Sequence, residues 1–299
     1  MEVSNLWKSL SNSLFAKLDN EFVATFRRAG GPNNRLGAWD PFDKTMRYFK
    51  FMLYTAAERQ PDRFFELYRA LGPVDIGEPV SVTVRSCKIN IDYLFALEEF
   101  LFLESAFDLR AVRSVVEIGA GFGRTCHTLL ALSDRIERYV IVDLAEVLEL
   151  SRRVLAKAVP DQMHKIEFID AVDTGAWHKV SADLAINIDS FQEMPPATIA
   201  SYMSALISRC GYFYVKNPVA KYDPASIGIT VDNSPTFTDV FSLGLCHDIV
   251  DVFDDVELAK ARKAYLLAYR PTPSWQLVAD SPMSMFPYLQ HALYRAGRV

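Results

Sequence analysis

The chain has 299 residues, 50% of them hydrophobic and 23% charged, with a formal net charge of −5. That length has room for one large domain, or one medium domain with an appendage. The acidic balance gives no electrostatic reason to expect nucleic acid or an anionic membrane as partner, and no run reaches the apolar length of a membrane span. Lys8 and Lys17 break up Met1–Asn20, so no secretory leader and a cytoplasmic chain are expected. Cys87, Cys126, Cys210 and Cys246 are far apart and form no Cys-x-x-Cys, which predicts free thiols and no zinc site.

Residues 1–110 read as a helical block. Leu6, Leu10, Leu14, Leu18, Phe22 and Phe26 recur every four residues, an apolar stripe on one long helix. Gly30-Gly31-Pro32-Asn33-Asn34 stops it. A second helix is predicted from Asp40-Pro41 and a third from Pro61 to Leu71; Val80–Val84 reads as a short strand or an extended loop. Asp92–Phe107 is a helix with little exposed face. This block, 1–110, is expected to act as a helical cap or an oligomerisation region. Its aromatic residues would be buried on the second domain or on a second copy, as a homodimer.

From Ala111 strands and helices alternate, the pattern of a parallel sheet with crossover helices. The predicted strands are Ser114–Ile118, Arg138–Val142, Lys165–Ile169, Ala182–Ile188 and Tyr212–Val215. Helices are predicted at Gly123–Leu132, Ala145–Ala158 and from Pro195-Pro196 to Arg209. Residues 217–235 read as a long excursion. Ala264–Tyr269 and Trp275–Val278 read as late strands, and Phe286–Ala296 as a terminal helix. The fold class is therefore α/β, with a second domain over 111–299.

The stretch Val115–Arg124 (VVEIGAGFGR) is a strand, a glycine turn and a helix start. Glycines at alternate positions let backbone approach a ligand closely, and a helix N-terminus points donors at it. The dinucleotide fingerprint wants glycines at the first, third and sixth positions. Here the sixth is Arg124, the third glycine falls one place early, and Glu117 stands before the turn. That disfavours a pyrophosphate, and so an NAD(P)-dependent oxidoreductase. It suits a ligand with positive charge, such as S-adenosyl-L-methionine. A plain tight turn is the competing explanation.

Asp143 ends the second strand, where a carboxylate can accept both ribose hydroxyls; it could equally cap the helix that starts at Leu144-Ala145-Glu146. Asp170 or Asp173 is placed to meet the adenine amino group. The cofactor set is thus Glu117, Gly119, Ala120, Gly121, Gly123, Asp143, Leu144, Asp170 and Asn187. After the fourth strand comes Asn187-Ile188-Asp189-Ser190-Phe191-Gln192-Glu193-Met194, projecting where reacting atoms would sit. Asp189 and Glu193 are candidate bases for an acceptor hydroxyl, with Glu193 alternatively capping the next helix. His247, beside Asp248, is a third candidate or a helix start. His127 reads as packing, and His164, His178 and His291 as surface or loop residues. No acid or histidine spacing spells a metal site.

Glu117-x-Gly119-x-Gly121-x-Gly123 with Asp143 resembles the class I S-adenosylmethionine-dependent methyltransferases. More narrowly, Val142-Asp143-Leu144-Ala145-Glu146 and Ser190-Phe191-Gln192-Glu193-Met194 look like the bacterial sugar O-methyltransferase family. The resemblance covers about residues 110–280; Ala145 departs from a proline often found there. It implies S-adenosylmethionine as methyl donor, a Rossmann-like sheet with a reversed last hairpin, and a sugar hydroxyl or glycoside as acceptor. It does not single out the base. N-methylation of an amino sugar and a non-catalytic nucleotide-binding scaffold are the alternatives.

Overall fold

The computed structural model describes residues 3–5, 7–8, 18–27, 46–224, 226 and 240–297. The first helix, α1, spans Asn20–Thr25, with extended Asp19 as its cap accepting from Phe22 N at 2.8 Å. The backbone therefore leaves the helical path at Asp19, and the stripe from Leu6 to Phe26 is not one helix. A short polar residue at that point offers the amides ahead of it a better partner than a continuing helix does. The stop at Gly30–Asn34 and the start at Asp40-Pro41 lie outside the described residues.

Helices α2 (Met46–Glu58) and α3 (Asp62–Ala70) follow, then strands β1 (Ser81–Val84) and β2 (Cys87–Asn90). The two strands pair antiparallel across Arg85-Ser86, both at positive φ, as a two-residue hairpin turn requires. Helix α4 (Ile91–Ala106) is capped by Asn90, which accepts from Tyr93 N, and is buried along most of its length.

The alternating region forms β3 (Ser114–Ile118), α5 (Arg124–Leu132), β4 (Arg138–Asp143), α6 (Ala145–Ala158), β5 (Ile166–Asp170), α7 (Thr174–Trp177), β6 (Leu184–Ile188), α8 (Pro196–Ala205) and β7 (Tyr212–Pro218). Short strands β8 (Lys221–Tyr222) and β9 (Ile249–Val250) pair in parallel. Helix α9 (Asp255–Ala268) and strands β10 (Gln276–Pro282) and β11 (Leu289–Arg295) end the chain's regular structure.

Three expectations fail here. Ala264–Tyr269 is not a strand but the end of α9. Leu258, Ala261 and Tyr265 are buried at helical spacing, and Asp254 caps the start. Phe286–Ala296 is not a helix; Leu289–Arg295 is a strand buried on both faces, which leaves no alternation to read. His291, expected at the surface, is 1% exposed within it.

The main sheet has the order β10-β11-β7-β6-β3-β4-β5. Numbered by appearance, that is 3-2-1-4-5-7-6, the doubly wound order with an added hairpin. Pairs β3/β6, β6/β7 and β4/β5 are parallel, while β11 runs antiparallel to both β7 and β10. This is the mostly parallel α/β sheet with an antiparallel last strand that the alternating pattern and the resemblance imply.

The described chain divides into two compact units. One comprises Met1–Ser11, Val112–Gly119 and Ala171–Val299. Its β3 and β6 are held in register by Asp183, whose Oδ2 accepts from Arg113 N, Ser114 N and Ser114 Oγ at 2.8–2.9 Å. Its core stacks Trp177, Tyr202, Phe191, Tyr269 and Tyr265. The other comprises Asn12–Ala111 and Ala120–Asp170. There, buried Arg27 pairs with Asp92 at 3.1 Å, donates to the Val74 and Ile76 carbonyls, and lies over the Phe122 ring. Among the described residues no helix is long and apolar enough to cross a membrane. All four cysteines are free, three of them buried.

Candidate active site

The doubly wound order reverses between β3 and β6, and ligands in such sheets bind outside the carboxyl ends at that point. Both strands belong to the first unit. Gly119, one residue past β3, has φ +75°, and a Cβ there would fall on Cβ and Oγ of Ser190. Ser190 Oγ donates to the Ile118 carbonyl at 3.0 Å, as does Asn187 Nδ2. Asn187 Oδ1 accepts from Asn217 Nδ2 at 2.8 Å, and Asn217 Oδ1 from Gln192 N at 3.2 Å. Tyr265 donates to the Gln290 carbonyl and accepts from Asn217 N. Asn187, one of the candidate cofactor residues, has its side chain fully buried and bonded at both polar atoms, which fixes the strand ends. Glu117 is also buried, at 1% exposure.

Asp189 stands at the corner after β6 with φ +58°, a left-handed conformation that costs a non-glycine residue about 1–2 kcal/mol. Its N–H donates to the Lys216 carbonyl at 2.8 Å, and its Oδ2 lies 3.0 Å from Lys216 Nζ. Lys216 is fully buried in β7. Oδ1 of Asp189 is buried and accepts no hydrogen bond among the described residues. Beside this corner, Tyr222 and Tyr288 meet edge to face at 5.0 Å. Burial raises the Tyr222 phenol far above its usual range and Tyr288 to about 12, and the Asp189 charge adds to both. Sequence reading missed Lys216, Tyr222 and Tyr288; a lysine inside a strand carries no local sign of burial.

Glu193 does not cap α8, whose cap is Pro195 with no side-chain bond. Its Oε2 accepts from the indole N–H of Trp7 at 2.6 Å. Lys221 nearby has its pKa lowered by burial, opposed by Cys246 and Glu193. His247 is exposed, with Nε2 at 3.0 Å from the Gly244 carbonyl, and the described contacts include no His247–Asp248 bond. Asp173 caps α7 by accepting from Ala176 N, which leaves Asp170 as the acid at a strand end.

In the second unit, Gly121 and Gly123 have φ +59° and +91°. Gly123 begins α5, and a Cβ on it would meet Leu155 of α6 at 2.8 Å, so this glycine allows close helix packing. Ala120, 8% exposed, accepts from Gly123 N across the turn. Asp143 Oδ2 accepts from Gly121 N at 3.0 Å, and Oδ1 from Leu144 N at 2.8 Å. The carboxylate thus braces the glycine turn. It does not cap α6, whose cap is Leu144 with no side-chain bond. Arg124 donates to the Asp92 carbonyl and to Glu99 Oε1 at 2.9 and 2.8 Å, which fixes α5 against α4. His127 lies deeper: Tyr93 OH donates to its Nδ1 and its Nε2–H to the Leu71 carbonyl, so it packs as expected.

The positive-φ turn and the half-exposed carboxylate at the tip of β4 fit a group carrying a ribose. The unpartnered Asp189 oxygen fits a donor hydroxyl.

No protein-family model matches the chain, and no curated protein matches it. Similar solved structures include the mitomycin 7-O-methyltransferase MmcR, at 13% identity over 68% of this chain and 55% of that one, TM-score 0.42. The pyocyanin biosynthetic protein PhzM is 12% identical over 68% and 56%, TM-score 0.43. Human N-acetylserotonin methyltransferase, in complex with S-adenosylmethionine, is 14% identical over 82% and 59%, TM-score 0.41. The chain spans little more than half the length of each. At such identities and scores the likeness assigns no activity, and the fold class rests on the strand order itself.

Proposed function

We propose that the chain is an S-adenosylmethionine-dependent O-methyltransferase whose acceptor is a sugar hydroxyl of a small molecule or glycosylated natural product. The observation that carries this reading is Asp189. It is held in a left-handed corner at the end of β6, one oxygen on Lys216 and the other buried without a partner among the described residues. A carboxylate kept in that state at the switch point of a doubly wound sheet suits a proton acceptor.

When bound, S-adenosylmethionine supplies a methyl on a sulfonium, so that the acceptor's oxygen–carbon bond forms as the sulfur–carbon bond breaks and S-adenosylhomocysteine leaves. Glu117, Gly119, Ala120, Gly121 and Gly123 are proposed to hold its methionine end, Asp143 with Leu144 its ribose, and Asp170 its adenine. Asp189 accepts the hydroxyl proton at Oδ1. Glu193, held by Trp7, orients the acceptor. His247 contributes less to this reading, because its contact is with Gly244.

The test is methyl transfer from tritium-labelled S-adenosylmethionine to a panel of p-nitrophenyl glycosides. Asp189→Asn is expected to lower kcat about 100-fold or more with S-adenosylhomocysteine affinity retained. Full activity in that variant would remove Asp189 from the reaction.

A further inference from the structure

We propose that Lys216 is the positioning residue of Asp189, and that the Asp189–Lys216 couple makes the subsite select an uncharged hydroxyl over an ammonium. This inference rests on the methyl-transfer reading above and specifies its acceptor.

Lys216 grips Asp189 twice. Its carbonyl takes the Asp189 N–H, and its ammonium takes Oδ2, so backbone and carboxylate are both fixed. The lysine is 0% exposed, and its ammonium lies 3.9 Å from the Met283 sulfur. The Asp189 side chain is 35% exposed, so the buried charge is the lysine's, and burying it is costly and rarely adds net stability. What the couple provides is orientation: with Oδ2 engaged, Oδ1 is the buried oxygen left without a hydrogen bond among the described residues. The neighbours are neutral. Burial keeps the Tyr222 and Tyr288 phenols protonated, and their hydroxyls bond to each other, with Tyr222 as the donor, which leaves the Tyr288 hydroxyl as the donor for a polyol. The second carboxylate, Glu193, likewise has a lysine, Lys221, within its field. Each acid is thus balanced by a cation. An amine acceptor, an ammonium at neutral pH, would meet a field largely cancelled by Lys216 and would have to shed its hydration. A hydroxyl pays no such charge penalty and donates one bond to Oδ1.

The experiment uses the full chain, as wild type, Lys216→Met, Lys216→Arg and Asp189→Asn. S-adenosylhomocysteine binding is measured by calorimetry. Labelled methyl transfer is then followed to matched pairs of p-nitrophenyl hexosides and their amino-deoxy counterparts. The wild type is expected to favour the hydroxyl member at least about tenfold in kcat/KM. Lys216→Met is expected to lose about 100-fold in kcat, the scale of a misplaced catalytic group. Its acceptor KM and S-adenosylhomocysteine affinity stay within about threefold, and its preference for hydroxyl over amine narrows. Lys216→Arg restores part of kcat, and carries the comparison if Lys216→Met folds poorly. Unchanged kcat in Lys216→Met, a loss in KM alone, preference for the amine, or no transfer to any pair while S-adenosylhomocysteine binds would each overturn the inference. Failure of the wild type to bind S-adenosylhomocysteine would instead remove the methyl-transfer reading.

Discussion

Gly119→Ala is the substitution whose cost the structure sets most fully. The residue sits at φ +75°, so an alanine there pays about 1–2 kcal/mol for the left-handed conformation. Its methyl would fall on both side-chain atoms of Ser190. Pushing Ser190 aside loses its bond to the Ile118 carbonyl, worth about 1 kcal/mol. Overpacking at this half-buried corner adds about 1–3 kcal/mol. Together these give about 3–6 kcal/mol of destabilisation, read from urea unfolding followed by circular dichroism. The cause is testable with a second change. Ser190→Ala leaves the Cβ in the way, whereas Ser190→Gly clears it. The pair Gly119→Ala/Ser190→Gly is therefore expected to be more stable than the sum of the single changes by about 1–3 kcal/mol, a coupling typical of atoms in contact. Gly119→Ala within about 1 kcal/mol of wild type, or no coupling to Ser190→Gly, would refute the close approach of the two segments.

Asp143→Ala removes the brace on Gly121 N and Leu144 N, and is expected to weaken S-adenosylhomocysteine binding about 100-fold, near 3 kcal/mol; calorimetry that finds unchanged affinity would count against the ribose role. Arg124→Ala strips Glu99, which is 1% exposed, of its guanidinium partner, and should cost about 3 kcal/mol in urea unfolding. Adding Glu99→Gln to that variant is expected to recover part of the loss. Burial lowers the His127 pKa from 6.5 to about 4, against the Leu71 bond, so the fold favours the neutral ring. That stability is complete above pH 6.5 and is lost as pH falls toward about 4, by up to about 3 kcal/mol. Urea titrations across that range should show the slope in wild type and a flatter profile in His127→Gln.

The α/β half of the chain was legible because its signals are local. Ser114–Ile118 is an apolar run closed by glycine, and Ala145–Ala158 has a helical period that stops before a proline; both keep those bounds in the structure. The order of strands then follows from right-handed crossovers. Legibility failed where burial on both faces erases periodicity, as in Leu289–Arg295. It failed again at the site, because the partners that give Asp189 and Glu193 their state are distant. Lys216 lies one strand further on, and Trp7 lies 186 residues from Glu193. The acids themselves were found, since a polar cluster after a buried strand is visible in one sequence. Which of their oxygens is left open is a property of packing.

The most direct test of the central claim is calorimetric titration of the full chain with S-adenosylhomocysteine, with NAD in parallel. Binding of S-adenosylhomocysteine near micromolar, about −8 kcal/mol, with no heat from NAD is the expected result. Binding of NAD alone, or of neither ligand, would contradict the assignment of the glycine turn and Asp143 to S-adenosylmethionine.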